Sequence, residues 1–338
     1  MNDGETYQYV FSPLVNVSLS EERHEVGPFS ARKVSGDTLE HLWRWMQHSS
    51  GGACNPRLYA EAPAEASFVV KDHSVVVKEA PGIEENEPSE GVDDLPLIRW
   101  RDHDVFRKER MCLNLCFNEA ISTPIVFCAD EFPIVHQGME FWSSPDARED
   151  WTPGGANGGQ QITDAAASAI RDLMVLQADE FLVKRQWLKR ALHIYDNASC
   201  LEREPDDQFR DYWETLEALF TDRSMEGMKD KLAQRIAMVL THTDEGYTQT
   251  SNRLKELYNM RSKKTHGAHP IKDENAYKEV AAELRRCVRQ SILMALKLSK
   301  SADSNSKWES RCKKLLDVRD RGQIEELKHI RDRWSAVW

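Results

Sequence analysis

Tyr258-Asn259-Met260-Arg261-Ser262-Lys263-Lys264-Thr265-His266-Gly267-Ala268-His269-Pro270 is the stretch on which the reading of this chain turns. It begins inside a helical pattern. Leu254, Leu257 and Tyr258 stand at helical spacing, and Arg261 follows three to four residues further along the same face. Gly267 and Pro270 are helix stops. A cation therefore continues an apolar stripe, and an imidazole follows where the helix runs out. A guanidinium on such a face enters a core or a groove and needs a partner there. Two structural roles are open to these side chains. Arg261 can bond helix-end carbonyls or pair with Glu217 or Glu256, and His266 can cap the helix C-terminus, where a cation gains up to about 1 kcal/mol. His269, beside Pro270, reads as a surface residue.

Arg261 and His266 enclose four residues. On an unbroken helix, positions five apart diverge by about 140°, given roughly 3.6 residues per turn. For both side chains to face one substrate, the helix must loosen or end near Thr265.

Helical periodicity extends upstream and downstream. From about residue 163 the chain is almost wholly helical in pattern. Ala165 to Leu176 runs on toward Phe181-Leu182, and Trp187, Leu188, Ala191, Leu192 and Tyr195 form a stripe. Tyr212, Trp213, Leu216, Leu219 and Phe220 form the next, and Met228, Leu232, Ile236, Val239 and Leu240 a third. Tyr277, Val280, Ala281, Leu284, Val288, Ile292 and Ala295 make a long last one. Each stripe is one-sided, which predicts helices packed as a bundle. Residues 301–338 restart after a Ser/Asp/Asn-rich break and read as a helical tail docked on the bundle or on a partner.

The first half reads as α+β. Residues 7–19 predict one strand or two short ones, and Asp37 to Gln47 predicts a helix capped by Asp37 or Thr38. Phe68-Val69-Val70 and Val75-Val76-Val77, separated by Lys71-Asp72-His73-Ser74, predict a hairpin. Residues 79–96 are acidic and hold prolines and glycines, which predicts a loop. Ile98 to Val105 predicts a strand, Phe106 to Ile121 a helix or a strand and a helix, and Pro124 to Cys128 a strand. The glycine- and proline-containing segment 143–162 predicts a linker rather than a phosphate loop, because no strand clearly precedes it and no G-x-x-x-x-G-K-[ST] pattern occurs. The expected organisation is 1–142 as an α+β sensing or regulatory domain, 143–162 as linker, 163–300 as helical bundle and 301–338 as tail.

With 338 residues, 40% apolar and 30% charged, the chain has an ordinary soluble composition that supports two domains. No apolar run of about 18 residues occurs, and Met1 to Glu5 begins no secretory signal, so the expectation is a cytoplasmic protein without membrane contact. Seven scattered cysteines suit a reducing compartment. Net charge is −11. Residues 1–179 carry 14 basic and 30 acidic side chains, a balance of −16, whereas residues 180–300 carry 22 and 19, a balance of +3. Any contact with nucleic acid should thus come from the C-terminal half, whose balance permits RNA binding without arguing for it. Cys112-Leu113-Asn114-Leu115-Cys116, with Cys128 and His136 downstream, has a spacing that zinc tolerates, but the run Met111 to Phe117 is apolar and reads as buried free thiols. No metal and no cofactor is expected. Neither a Ser-His-Asp spacing, HExxH, Walker nor dinucleotide fingerprint is present.

Trp213-Glu214-Thr215-Leu216-Glu217-Ala218-Leu219-Phe220, then Leu232-Ala233-Gln234-Arg235-Ile236-Ala237, then Tyr258 to Ser262 and His266-Gly267, resemble the HEPN superfamily in order and spacing over about residues 180–300. The ApeA-like branch, associated with bacterial abortive infection, is the part of it that the chain resembles. The resemblance implies a bundle of four to five helices, usually dimeric, and a metal-independent endoribonuclease whose arginine and histidine from two protomers line one cleft. On this chain those are Arg261 and His266. Glu217, Ser262, Lys263 and Lys264 are supporting candidates. The residue types suit the chemistry. The RNA 2′-OH attacks its own phosphate, a histidine moves the protons, and an arginine holds the phosphate in two-pronged fashion. Implied partners are RNA (tRNA or other cellular RNA), a second copy of the chain, and a phage-derived trigger or partner protein. Many active members carry Asn, Asp or His after the motif arginine, where this chain has Ser262. That departure keeps a non-catalytic scaffold, or an RNA-binding subunit of a defence complex, open as the alternative.

Overall fold

A computed structural model describes residues 5–14, 17–49, 65–77, 97–99, 105–117, 120–121, 123, 125–133, 140–143, 160–176, 179–199, 204–221, 227–241, 244–265 and 274–300. The chain divides into two compact units: Met1–Leu113 with Glu119–Arg171, and Asn114–Asn118 with Asp172–Trp338. Among the described residues the first is built on sheet and the second is helical, the α+β-then-helical order that the sequence predicts.

The first unit centres on two long antiparallel strands, β1 (Glu5–Leu14) and β5 (Glu65–Val77), in register from Glu5↔Val76 to Leu14↔Ser67. The sheet order is β3-β4-β5-β1-β7-β8, with β3 at Arg23–Glu25, β4 at Ser30–Ser35, β7 at Ile125–Ala129 and β8 at Glu140–Ser143. A short strand, β6 (Leu97–Arg99), pairs parallel with the end of β5. Alternation sets the two faces. Phe11, Phe68, Val70 and Phe127 share one face with Leu39 and Leu42 of helix α1 (Gly36–Ser49). Phe11 stacks on Phe127 at 5.1 Å and meets Phe68 edge-on at 6.0 Å. On the opposite face Lys71 reaches helix α2 (Arg107–Cys116), pairing with Glu109 at 3.1 Å and donating to the Val105 carbonyl at 2.6 Å.

The predicted hairpin over 68–77 is instead one uninterrupted strand. Lys71-Asp72-His73-Ser74 lacks the glycine or asparagine that most favours a tight two-residue turn. Its polar side chains are accommodated on both faces: Lys71 by Glu109, and Asp72 by Arg32, whose Nη2 donates to both carboxylate oxygens at 2.6 and 2.7 Å. A polar break in an apolar pattern thus lies in mid-strand. Residues 7–19 become β1 and a separate two-residue strand, β2 (Ser18–Leu19), which pairs parallel with β9 (Gln161–Ile162). So both ends of the expected linker are strand: Ser143 closes β8, a strand that does precede the segment, and Gln161–Ile162 is β9; residues 144–159, the acidic segment 79–96 and the tail 301–338 lie outside the described residues. The division of the chain falls within helix α3 (Asp164–Leu176). Its first two turns hold to the sheet unit, with Asp164 against His24 and Arg171 donating to the Glu25 carbonyl.

In the second unit, α6 (Pro205–Phe220) is central, packing on α5 (Gln186–Ala198), α7 (Met228–Leu240), α8 (Asp244–Thr265) and α9 (Glu274–Lys300). A short α4 (Asp179–Val183) precedes α5. Helix α6 starts on Pro205 with Asp206 and Asp207 in its first turn, and ends where Thr221 folds back on the Glu217 carbonyl. The buried Arg235 of α7 donates to the Phe220 carbonyl, placing a cation on the otherwise orphaned C-terminus of α6. Helix α7 opens on Gly227, whose φ of 67° is left-handed and suits glycine. The predicted stripes are buried at Leu188, Leu192 and Tyr195; Trp213 and Leu216; Leu232 and Ile236; Leu254 and Leu257; Leu284, Val288 and Ile292, whereas Trp187 and Leu240 are half-buried and Met228, at the start of α7, is exposed. Leu216 is fully buried at the hub, so Leu216→Ala is expected to cost about 2–5 kcal/mol, measured as a lowered urea midpoint of helical circular dichroism.

Candidate functional site

Helix α8 buries Ser251, Leu254 and Leu257 in succession, and the next position on that face is Arg261. The sequence requires a partner for a cation so placed, and α6 supplies it. Arg261 Nη1 donates to Glu217 Oε1, and Nη2 donates to Oε2 at 3.2 Å. Fork meets fork, the geometry in which an arginine–carboxylate pair is strongest. Both side chains are about one-fifth exposed, so the pair is shielded without being sealed.

An aromatic contact one turn earlier fixes the approach of the two helices. Trp213 and Tyr258 meet edge to face, centroids 5.3 Å apart and planes at 86°. Glu217 is four residues after Trp213, and Arg261 is three after Tyr258, so the ion pair follows the ring pair along both helices. The Arg261 guanidinium also stands over the Tyr258 ring at 5.7 Å. The Tyr258 hydroxyl contacts Met228 Sδ at 3.7 Å, Lys229 Nζ lies 3.4 Å from Asn259 Oδ1, and Lys255 pairs with Asp230 at 2.9 Å. The start of α7 is thereby fastened along α8. The hydrogen bond from Lys255 holds the Asp230 carboxyl below its ordinary range. Glu256, the other carboxylate considered for Arg261, joins Glu283 on Arg253, whose pKa is raised chiefly by its hydrogen bonds to Glu283.

Of the sequence candidates, Arg261 and Glu217 are brought together. Ser262 is half-buried beside them, and Lys263 and Lys264 form the last turn of α8, which ends at Thr265. The side chains of Lys263 and Lys264 and the whole of His266 lie outside the described residues. Chemically, the pair does one thing clearly: it aims a permanently charged planar fork from the last turns of a helix. Glu217 engages two of the five donors a guanidinium carries, so an incoming phosphate shares or displaces a carboxylate.

A second polar cluster is not legible in the stripes. Arg285 and Arg289, one turn apart on α9, are both buried, as are Asn114 and Tyr195. Arg285 Nη2 donates to Asn114 Oδ1 at 3.0 Å, and the Tyr195 hydroxyl donates to the Asn114 carbonyl at 2.7 Å. Burial, with a smaller contribution from Arg285, pushes the Arg289 guanidinium down to about 10. The run Cys112 to Cys116 is buried, with Asn114 its one polar member, and no group of three or more metal-capable side chains exists among the described residues. Burial raises the Cys116 thiol to about 12 and the Cys287 thiol to about 12. At pH 8 both are expected to resist iodoacetamide in the folded protein and to react once it is denatured, read by peptide mass; because each pKa is raised on folding, the stability they lend is present below about 9 and falls away toward about 12.

No protein-family model matches this chain, and neither the curated proteins nor the solved structures contain a match to it.

Proposed function

We propose that the chain is a metal-independent endoribonuclease of HEPN type, acting in bacterial anti-phage defence. Arg261 would hold the scissile phosphate and His266 would move the proton between the 2′-OH and the leaving oxygen. The observation that carries this reading is the placement of Arg261. Its guanidinium continues a buried stripe into the last turns of α8, is oriented there by Glu217, and stands five residues before a histidine that follows the helix end. In-line attack of the 2′-OH needs charge stabilisation at phosphate and one proton carrier, and needs no metal. Two copies of the chain would present two such pairs to one RNA strand. The products are then a 2′,3′-cyclic phosphate and a 5′-OH.

A scaffold reading has one observation in its favour: Glu217 already engages Arg261 in two-pronged fashion, and Ser262 supplies no base beside it. Under that reading Arg261 serves the helix packing alone.

Incubation with total tRNA in EDTA separates the two. Cleavage with cyclic-phosphate ends is expected, and Arg261→Ala and His266→Ala should each lower it by roughly 100-fold or more while circular dichroism is unchanged. Full activity in both folded variants, or none in the unaltered protein, sinks the nuclease reading. Glu217→Gln, which keeps shape and loses charge, is expected to raise the Michaelis constant or lower kcat by about tenfold if orientation matters. A double-mutant cycle of Glu217 and Arg261 should give a coupling of roughly 0.5–1 kcal/mol, as suits a partly exposed pair.

A further inference from the structure

Outside the helical unit, three side chains of the sheet unit form a relay that the ribonuclease reading does not use. The His24 imidazole is buried, its side chain only 1% exposed. Its Nδ1 lies 3.2 Å from Asp164 Oδ1, and its Nε2 lies 2.9 Å from Ser20 Oγ. Ser20 itself is exposed, and the Asp164 side chain is 87% exposed. Three separate elements hold the arrangement. Ser20 follows β2, and its N–H donates to the Ile162 carbonyl at 3.0 Å. His24 is the middle residue of β3, paired with Ala31 of β4. Asp164 is the first residue of α3, directly after β9 and Thr163. Pairing of β2 with β9, reinforced by Ser18 Oγ on the Gln160 carbonyl and Gln161 Nε2 on the Leu19 carbonyl, brings the two distant segments together.

We propose that Ser20, His24 and Asp164 form an acyl-transfer site, with Ser20 as nucleophile, His24 as general base and Asp164 as the positioning residue. Donor and acceptor accounting supports both protonation states that such a relay needs. With the imidazole neutral and its proton on Nδ1 facing Asp164, Nε2 accepts the Ser20 hydroxyl proton. Once that proton has passed to it, Nε2 donates to Ser20 Oγ, which then carries the acyl carbon; before transfer the Ile162 carbonyl, 3.0 Å away, is the other acceptor open to the same hydroxyl. The Ile162 carbonyl keeps the Ser20 N–H in either state, so no buried polar group is stranded when the proton moves. A purely structural clip would need one of these states. A base needs both.

The balanced step is ordinary ester hydrolysis. Ser20 Oγ bonds to the acyl carbon, its proton passes to His24 Nε2, and that proton leaves with the departing alkoxide as alcohol. Water then attacks the acyl-serine, gives a proton to the same nitrogen, and releases the acid and the Ser20 hydroxyl. Substrate charge is limited by the surroundings. Glu21 and Glu22 are exposed near Asp164, while Glu25 is paired with Arg23, so the acyl donor is a neutral or cationic ester.

The test uses the full chain and a neutral fluorophosphonate, which loses fluoride to an activated serine. One adduct on Ser20 is expected by peptide mass, and none in Ser20→Ala. Replacement of the buried His24 risks the fold, so the exposed Asp164 carries the discriminating variants. Asp164→Asn is expected to slow labelling at least about tenfold, less than at a buried triad aspartate because water screens this one, and Asp164→Glu to restore it to within about threefold. Absence of an adduct on Ser20 overturns the proposal. So does an adduct whose rate is unmoved by Asp164→Asn, or one that Asp164→Glu fails to restore. Neither result touches the ribonuclease reading, whose residues lie in the other unit.

Discussion

A guanidinium set where an apolar stripe would otherwise continue cannot be left to itself, and the bond from Arg261 to Glu217 is the consequence. Leu257 is fully buried one turn before it, so the stem of Arg261 enters packed surroundings while its head still touches water. Placing the carboxylate on α6 ties the most connected helix of the unit to the helix that ends at the candidate site. The Trp213–Tyr258 contact sets the distance between the helices, and the ion pair then sets the rotation of the last turns of α8. Arg235 completes the arrangement from α7 by holding the C-terminal carbonyl of α6 three residues beyond Glu217. The direction in which α8 delivers its final residues thus follows from side chains on three helices.

Legibility differed between the units for a physical reason. Amphipathic helices announce themselves, because a 3.6-residue period repeats over several turns; each stripe falls inside an observed helix, although α6 and α8 begin seven and ten residues before the first apolar position of their stripes, Tyr212 and Leu254. Strand signals are shorter. Four polar residues between valine runs looked like a turn, yet Lys71 and Asp72 sit in mid-strand because Glu109 and Arg32 meet them on opposite faces. Those partners lie 38 and 40 residues away, beyond any local pattern. Strands β2 and β9, of two residues each, exist only through each other and carry no periodicity of their own.

The candidate site shows the same division. Arg261 was visible because a charge interrupts an apolar series, and Glu217 as a carboxylate able to pair with it across the bundle. The relay of Ser20, His24 and Asp164 was invisible. Its first two members are four apart and its third is 140 residues further on, so no spacing rule joins them; only the pairing of β2 with β9 does. The buried pair Arg285 and Arg289 was hidden differently. Both are on a helix whose stripe is apolar enough to be read as core, and arginines at its edge pass for a solvated face.

Charge around Arg261 bears on how RNA would be held. Lys255 is matched by Asp230, Arg253 by Glu283 and Glu256, and Arg261 by Glu217. Each of these three cations is thus balanced locally, and the whole of residues 180–300 carries only a balance of +3 from 22 basic and 19 acidic side chains. A surface of that kind does not gather polyanions by long-range attraction, which depends on unbalanced positive charge and weakens with salt. Under the proposed function, affinity in such a site would come from short-range, directional contacts made after the strand arrives: the planar fork of Arg261, unstacked bases, and the 2′-OH that distinguishes RNA from DNA. Glu217 then has two opposed effects. It holds the guanidinium in one orientation, and it lowers the local potential that a phosphate meets. Under the proposed ribonuclease function, a weakly attracting, well-oriented site would act on strands presented to it rather than on every RNA that it meets.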